Sequence, residues 1–72
     1  MDTLQTIKDI LEEQLDIESE NVNEDSTFDS LGIDSLDSVE VFVELEDRLD
    51  ISLGNPKGLE TIGDLIEYIE NL

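Results

Sequence analysis

Of the side chains able to do chemistry, Ser35 is set apart by its place. Gly32 is a turn signal, Asp34 is positioned to cap a helix, and Leu36 to Leu49 has helical periodicity. Ser35 is therefore predicted as the first residue of a helix, with its hydroxyl exposed at the helix mouth. The free backbone N–H groups of such an end favour an anion such as a phosphate. Serine is also an ordinary residue near helix starts, so position alone leaves open a plain capping-region serine.

Catalysis by Ser35 is not expected. An activated serine needs a positioned base, usually histidine, and the chain has none. There is no cysteine either, so the side chains offer neither a thiolate nor a disulfide framework. Carboxylates abound, but acid–base work requires a cleft that gives two of them unlike surroundings. A twelve-residue window from Asp29 to Glu40 invites comparison with a calcium-binding EF-hand loop. It has Leu31 and Ile33 where oxygen ligands belong and Asp34 where glycine belongs, and so fails. Divalent ions would at most screen Asp37, Glu40, Glu44 and Asp47 loosely, and no dedicated metal site is expected. What remains is Ser35 as a site of modification. A phosphoryl group there would gain from the helix N-terminus, while Asp34 and Asp37 would repel it and help to point it outward.

The elements that must position Ser35 are helical. Asp2 is placed to cap a first helix over about Thr3 to Leu15, with Gln5 as its capping-box partner and an apolar stripe of Leu4, Ile7, Ile10, Leu11 and Leu15. Ile17 to Ile33 has no clear period and is rich in turn formers. Its apolar anchors Val22, Phe28 and Leu31 predict an ordered loop strapped over the core. The second helix, about Ser35 to Leu49, carries Ser38, Val41, Phe42, Leu45 and Leu49 on its core face. Leu36, Val39 and Val43 fall almost opposite, where a surface helix should be polar. Asp37, Glu40, Glu44 and Asp47 line one flank and Glu46 the other. An apolar stripe beside an acidic ridge reads as a docking surface, although exposed apolar side chains are common. Ile51 to Glu60 is a connection in which Pro56 allows one short helical turn near Lys57-Gly58-Leu59, with Leu53 and Leu59 tucked inward. Thr61 then caps a final helix, with Asp64 as its capping-box partner, ending near Asn71. The expected fold is all-α: one domain over residues 1–72, a small bundle of three main helices plus one short helix or turn.

Bulk properties narrow the partners. Twenty-one acidic residues against three basic ones give a formal charge of −18. That excludes nucleic acid and anionic membranes as natural targets and favours proteins with basic patches. No run approaches the roughly 18 apolar residues of a membrane span. No basic-then-apolar signal peptide opens the chain. A soluble, cytoplasmic monomer is expected.

The run Leu31-Gly32-Ile33-Asp34-Ser35-Leu36-Asp37-Ser38-Val39-Glu40 resembles the phosphopantetheine attachment motif of acyl carrier proteins. The similarity continues through Leu45-Glu46-Asp47-Arg48-Leu49, Thr61-Ile62 and Ile66-Glu67-Tyr68-Ile69, so it covers essentially the whole chain. Ile33 stands where fatty-acid carriers often have a small residue. Ser52 to Glu60 is shorter than usual, with Gly54, Asn55, Pro56 and Gly58 in place of acids. The resemblance implies that a phosphopantetheinyl transferase esterifies Ser35, flanked by Asp34 and Leu36, with 4′-phosphopantetheine from coenzyme A. The arm's thiol would carry acyl groups as thioesters for fatty-acid, polyketide or related enzymes, and the protein itself would not be an enzyme. Leu36, Asp37, Glu40, Val43, Glu46 and Asp47 occupy the positions that meet basic patches on partner enzymes in the family. The resemblance also implies an acyl cavity between the helices, with Phe28, Val41, Phe42, Leu45, Leu59, Ile62 and Ile69 as lining candidates. The rival readings are an unmodified acidic protein-interaction module and a divalent-ion buffer.

Overall fold

The side chains that can close off a helix end set the architecture. In the computed structural model, which describes residues 2–54, 56 and 58–72, three α-helices form: α1 (Thr3–Leu15), α2 (Ser35–Leu49) and α3 (Ile62–Glu70). Each begins at a residue whose side-chain oxygen takes up an orphan N–H of the first turn. Asp2 accepts from Leu4 N at 3.1 Å, Asp34 from Asp37 N at 2.8 Å, and Thr61 from Asp64 N at 3.0 Å. At α3 the capping box is complete, because Asp64 accepts in return from Thr61 N at 3.1 Å. At α1 the expected box is absent: the Gln5 amide donates to Asp9 at 3.0 Å, one turn on, instead of turning back. A carboxylate four residues ahead on the same helix face lies within easier reach of the amide than the cap's backbone does.

The helices α1 and α2 end on the same tripeptide, Leu15-Asp16-Ile17 and Leu49-Asp50-Ile51. In both, the aspartate turns left-handed, at φ 60° for Asp16 and φ 53° for Asp50. Its N–H, and that of the isoleucine after it, return to carbonyls of the last turn. The isoleucine is thereby folded back onto the core, as an apolar residue just past a helix end commonly is.

The long connection from α1 to α2 is ordered by its own turn chemistry. It contains one 3₁₀ turn, Ser19–Asn21. Thr27 and Ser30 cap one another, with Ser30 N to Thr27 Oγ1 at 2.9 Å and Thr27 N to Ser30 Oγ at 3.1 Å. Gly32 then adopts φ 75°, a conformation that costs glycine little, and Ile33 N returns to Phe28 O at 2.9 Å. This loop also completes α3. Ile62 N donates to Ser26 O and Gly63 N to Glu24 O, both at 2.9 Å. The approach is so close that a Cβ on Gly63 would lie 3.1 Å from Glu24 O.

Val22, Ile33 and Leu53 from the connections join Ile7, Ile10, Leu11, Val41, Leu45, Ile62, Leu65 and Ile66 in one buried core. Phe28, Leu31 and Leu59 pack against it half-buried. The expected short turn near Lys57-Gly58-Leu59 falls partly on Lys57, outside the described residues; Gly58 and Leu59 are in no helix. The physical reason is at Gly54 and Gly58, whose φ values of 68° and 76° do not belong to a right-handed helix.

Candidate functional site

The mouth of α2 is built by residues 27–34. The Thr27–Ser30 turn and Gly32 aim the chain so that buried Ile33 plugs into the core while Asp34 and Ser35 stay exposed. Asp34 spends its side chain on Asp37 N and its carbonyl on Ser38 N at 2.9 Å. The N–H groups of Ser35 and Leu36 have no acceptor among the described residues. Two donors at the positive end of a fifteen-residue helix therefore face solvent beside an exposed hydroxyl. The Ser38 hydroxyl, one turn further, donates to Ser35 O at 2.9 Å.

Beside this mouth lies a pocket of about 180 Å³ lined by residues that include Phe28, Ile33, Ser35, Ser38, Phe42 and Leu59. Three of the expected cavity residues, Phe28, Phe42 and Leu59, are thus brought together next to Ser35. Val41, Leu45 and Ile62 are not part of its wall. They lie in the closed core at 1%, 0% and 0% exposure. Ile69 is half-buried against that core and also away from the pocket. Sequence reasoning missed Ile33 and Ser38 as lining residues. Their signal was spacing alone, since one precedes the cap and the other follows Ser35 by three.

The outer face of α2 carries two kinds of surface. Leu36, Val39 and Val43 are 78%, 57% and 57% exposed, and Glu40 and Asp47 are exposed beside them. The other carboxylates of the helix are less free. Asp37 is half-buried. Glu44 accepts from Arg48 Nε at 3.2 Å, while the other two guanidinium nitrogens grip Glu13 of α1 at 3.1 and 3.0 Å. Hydrogen bonds to Glu13, and then to Glu44, hold the Arg48 pKa above its usual range. On the opposite flank, Glu46 accepts from the Leu53 N–H at 2.8 Å. Glu44 and Glu46 therefore face outward only in part, which sequence periodicity did not reveal. Among the described residues no group of acids, cysteines or histidines is arranged to hold a metal ion, and no helix is long and apolar enough to cross a membrane.

Three capped helices, with an exposed serine at one helix mouth and a pocket beside it, make this a small all-α bundle. Residues 5–69 match the family model described as the phosphopantetheine attachment site. The chain is 41% identical over 70 residues to the acyl carrier protein of Streptococcus pyogenes serotype M1, covering 97% of this chain and 95% of that one. It is 40% identical over 70 residues to that of Streptococcus thermophilus, with the same coverage. The acyl carrier protein of Sulfurovum sp. is 41% identical over 69 residues, 92% of each chain. The chain belongs to the acyl carrier protein family, whose members are carriers rather than catalysts and hold phosphopantetheine covalently. The α2 mouth fits such a group: it offers an exposed hydroxyl, two N–H donors for phosphate oxygens and a pocket within reach.

Proposed function

We propose that residues 1–72 work as one acyl carrier domain, with Ser35 Oγ as the point at which 4′-phosphopantetheine from coenzyme A is esterified. The observation that carries this reading is the geometry at Ser35, an exposed hydroxyl whose neighbouring N–H groups are free to hold a phosphodiester. Asp34 keeps the helix mouth in shape through its cap to Asp37, and Leu36 stands exposed beside the attachment point. When bound, the group supplies a terminal thiol that holds acyl groups as thioesters. The pocket formed by Phe28, Ile33, Phe42 and Leu59 shelters the start of the acyl chain, and a longer chain would enter by parting Val41, Leu45 and Ile62 behind it.

Partner enzymes, the basic transferase first, dock on the apolar stripe of Leu36, Val39 and Val43 and on Glu40 and Asp47 beside it. Asp37, Glu44 and Glu46 add negative potential from the sides. The Arg48–Glu13 ion pair ties α2 to α1. The protein would serve fatty-acid, polyketide or related synthases.

The absence of cysteine gives a clean test, because any thioester on this protein must ride on an attached thiol. The chain is incubated with coenzyme A, a broad phosphopantetheinyl transferase and an acyl-loading enzyme. The expected product is a protein-bound acyl group released by neutral hydroxylamine. An acyl group that resists hydroxylamine, or none where a known carrier is loaded in parallel, would sink the proposal.

A further inference from the structure

Leu53 lies between α2 and α3, in backbone that belongs to neither helix nor strand. Such a residue has no ladder to satisfy its polar groups, and leaving them unpaired when buried is costly. Both are met by side chains from different helices. Glu46 of α2 takes the Leu53 N–H at 2.8 Å. The Tyr68 hydroxyl of α3 donates to the Leu53 carbonyl at 2.7 Å. The leucine side chain itself is sunk in the core at 2% exposure. The residue is therefore held at three points. Immediately beyond it, Pro56, Gly58 and Leu59 form one wall of the pocket beside Ser35. The far end of that wall is held as well. Asp64 accepts from Glu60 N and Thr61 N, both at 3.1 Å, and Phe28 N donates to Glu60 O at 3.2 Å.

We propose that Leu53 is a latch: Glu46 and Tyr68 clamp its two backbone groups, and this clamp sets where the wall of Pro56, Gly58 and Leu59 stands over the pocket at Ser35. The wall has no hydrogen-bonded secondary structure of its own among the described residues. Among the described residues it is held at its two ends and by the Leu59 side chain, which packs against the core. The Asp64 end is built into the capping box of α3 and cannot yield without loosening that helix. The Leu53 end hangs on two side-chain hydrogen bonds and one buried leucine. Releasing either bond frees the wall while α1, α2 and α3 keep their caps and core. The role of the pocket as an acyl shelter rests on the function proposed above; the latch itself does not.

The test is backbone 15N relaxation on the unmodified full chain, which needs no attached group and so stands apart from any failure at Ser35. Tyr68→Phe removes one hydroxyl and little volume, and Glu46→Ala removes the other clamp. In each variant, order parameters at Leu53, Gly54 and Gly58 are expected to drop from their values in the parent to about 0.6 or below, with those of α1 and α3 unchanged. An even drop across all three helices would mean that these bonds only add to global stability. Unchanged order parameters at Gly54 and Gly58 would mean that the wall does not depend on Leu53. Either result overturns the latch.

Discussion

Asp64 shows how a single carboxylate is put to use. It accepts from Glu60 N and Thr61 N, and these two bonds hold its pKa below the ordinary carboxylate range. A lowered folded pKa means that folding favours the charged form. The stabilisation is therefore whole above about pH 3.9, the value for an unfolded aspartate. It is lost as pH falls through the lower folded value. Urea unfolding of the parent and of Asp64→Asn should show a stability gap at pH 7 that narrows as pH falls below about 3.9. A gap of constant size would show that the charge contributes nothing. Residue types made this site legible beforehand, since a threonine followed three positions later by an acid has few other local uses. Gln5 has the same spacing from Asp2, yet it pairs with Asp9. An amide has more than one neighbour to choose from, and spacing cannot rank them.

At the scale of elements, helix bounds were readable because caps and apolar periodicity agree at each start. The Ser19–Asn21 turn was not, being too short to have a period. Nor was the tie from Glu46 to the Leu53 backbone, which depends on how the chain folds back after α2. The paired Leu-Asp-Ile ends yield a direct expectation. Asp50 sits left-handed at φ 53°, ψ 50° and places a negative charge at the negative end of α2. Asp50→Gly should stabilise the fold by about 0.5–1 kcal/mol, a rise in Tm of several degrees in a chain of this size. An unchanged or lower Tm would show that the aspartate is not strained there.

The carboxylates along one flank of α2 also differ in how free they are. Asp47→Lys should slow association with a basic transferase several-fold at low salt, with the effect fading as salt rises. Glu44→Gln, at a carboxylate already paired to Arg48, should change the rate little. Stopped-flow rates at several ionic strengths decide this, and equal effects from the two variants would count against the proposed docking face.

The whole molecule is small and crowded with like charge. A formal charge of −18 is spread over a body of 26 × 24 × 21 Å. At about 10 mM salt the screening length of about 30 Å spans the protein, whereas at 0.15 M it falls to about 8 Å. Self-repulsion should therefore ease as salt is added, and Tm should climb across that range. A flat profile in calorimetry would show that the acids lie too far apart to oppose folding. Family membership was already legible at this scale from the motif around Ser35, the helix order and the acidity taken together. The division of the apolar candidates was not. Phe28, Phe42 and Leu59 line the pocket while Val41, Leu45 and Ile62 are sealed in the core, and helical spacing cannot tell a wall from the filling behind it.

The central claim is that one hydroxyl, that of Ser35, anchors the arm. Intact-mass spectrometry after treatment with coenzyme A and a phosphopantetheinyl transferase tests it most directly, with fragmentation to locate the added group. The parent should gain the mass of a single phosphopantetheinyl group, carried on Ser35, and folded Ser35→Ala should gain none. An adduct located on any other residue, or one that survives in Ser35→Ala, would contradict it.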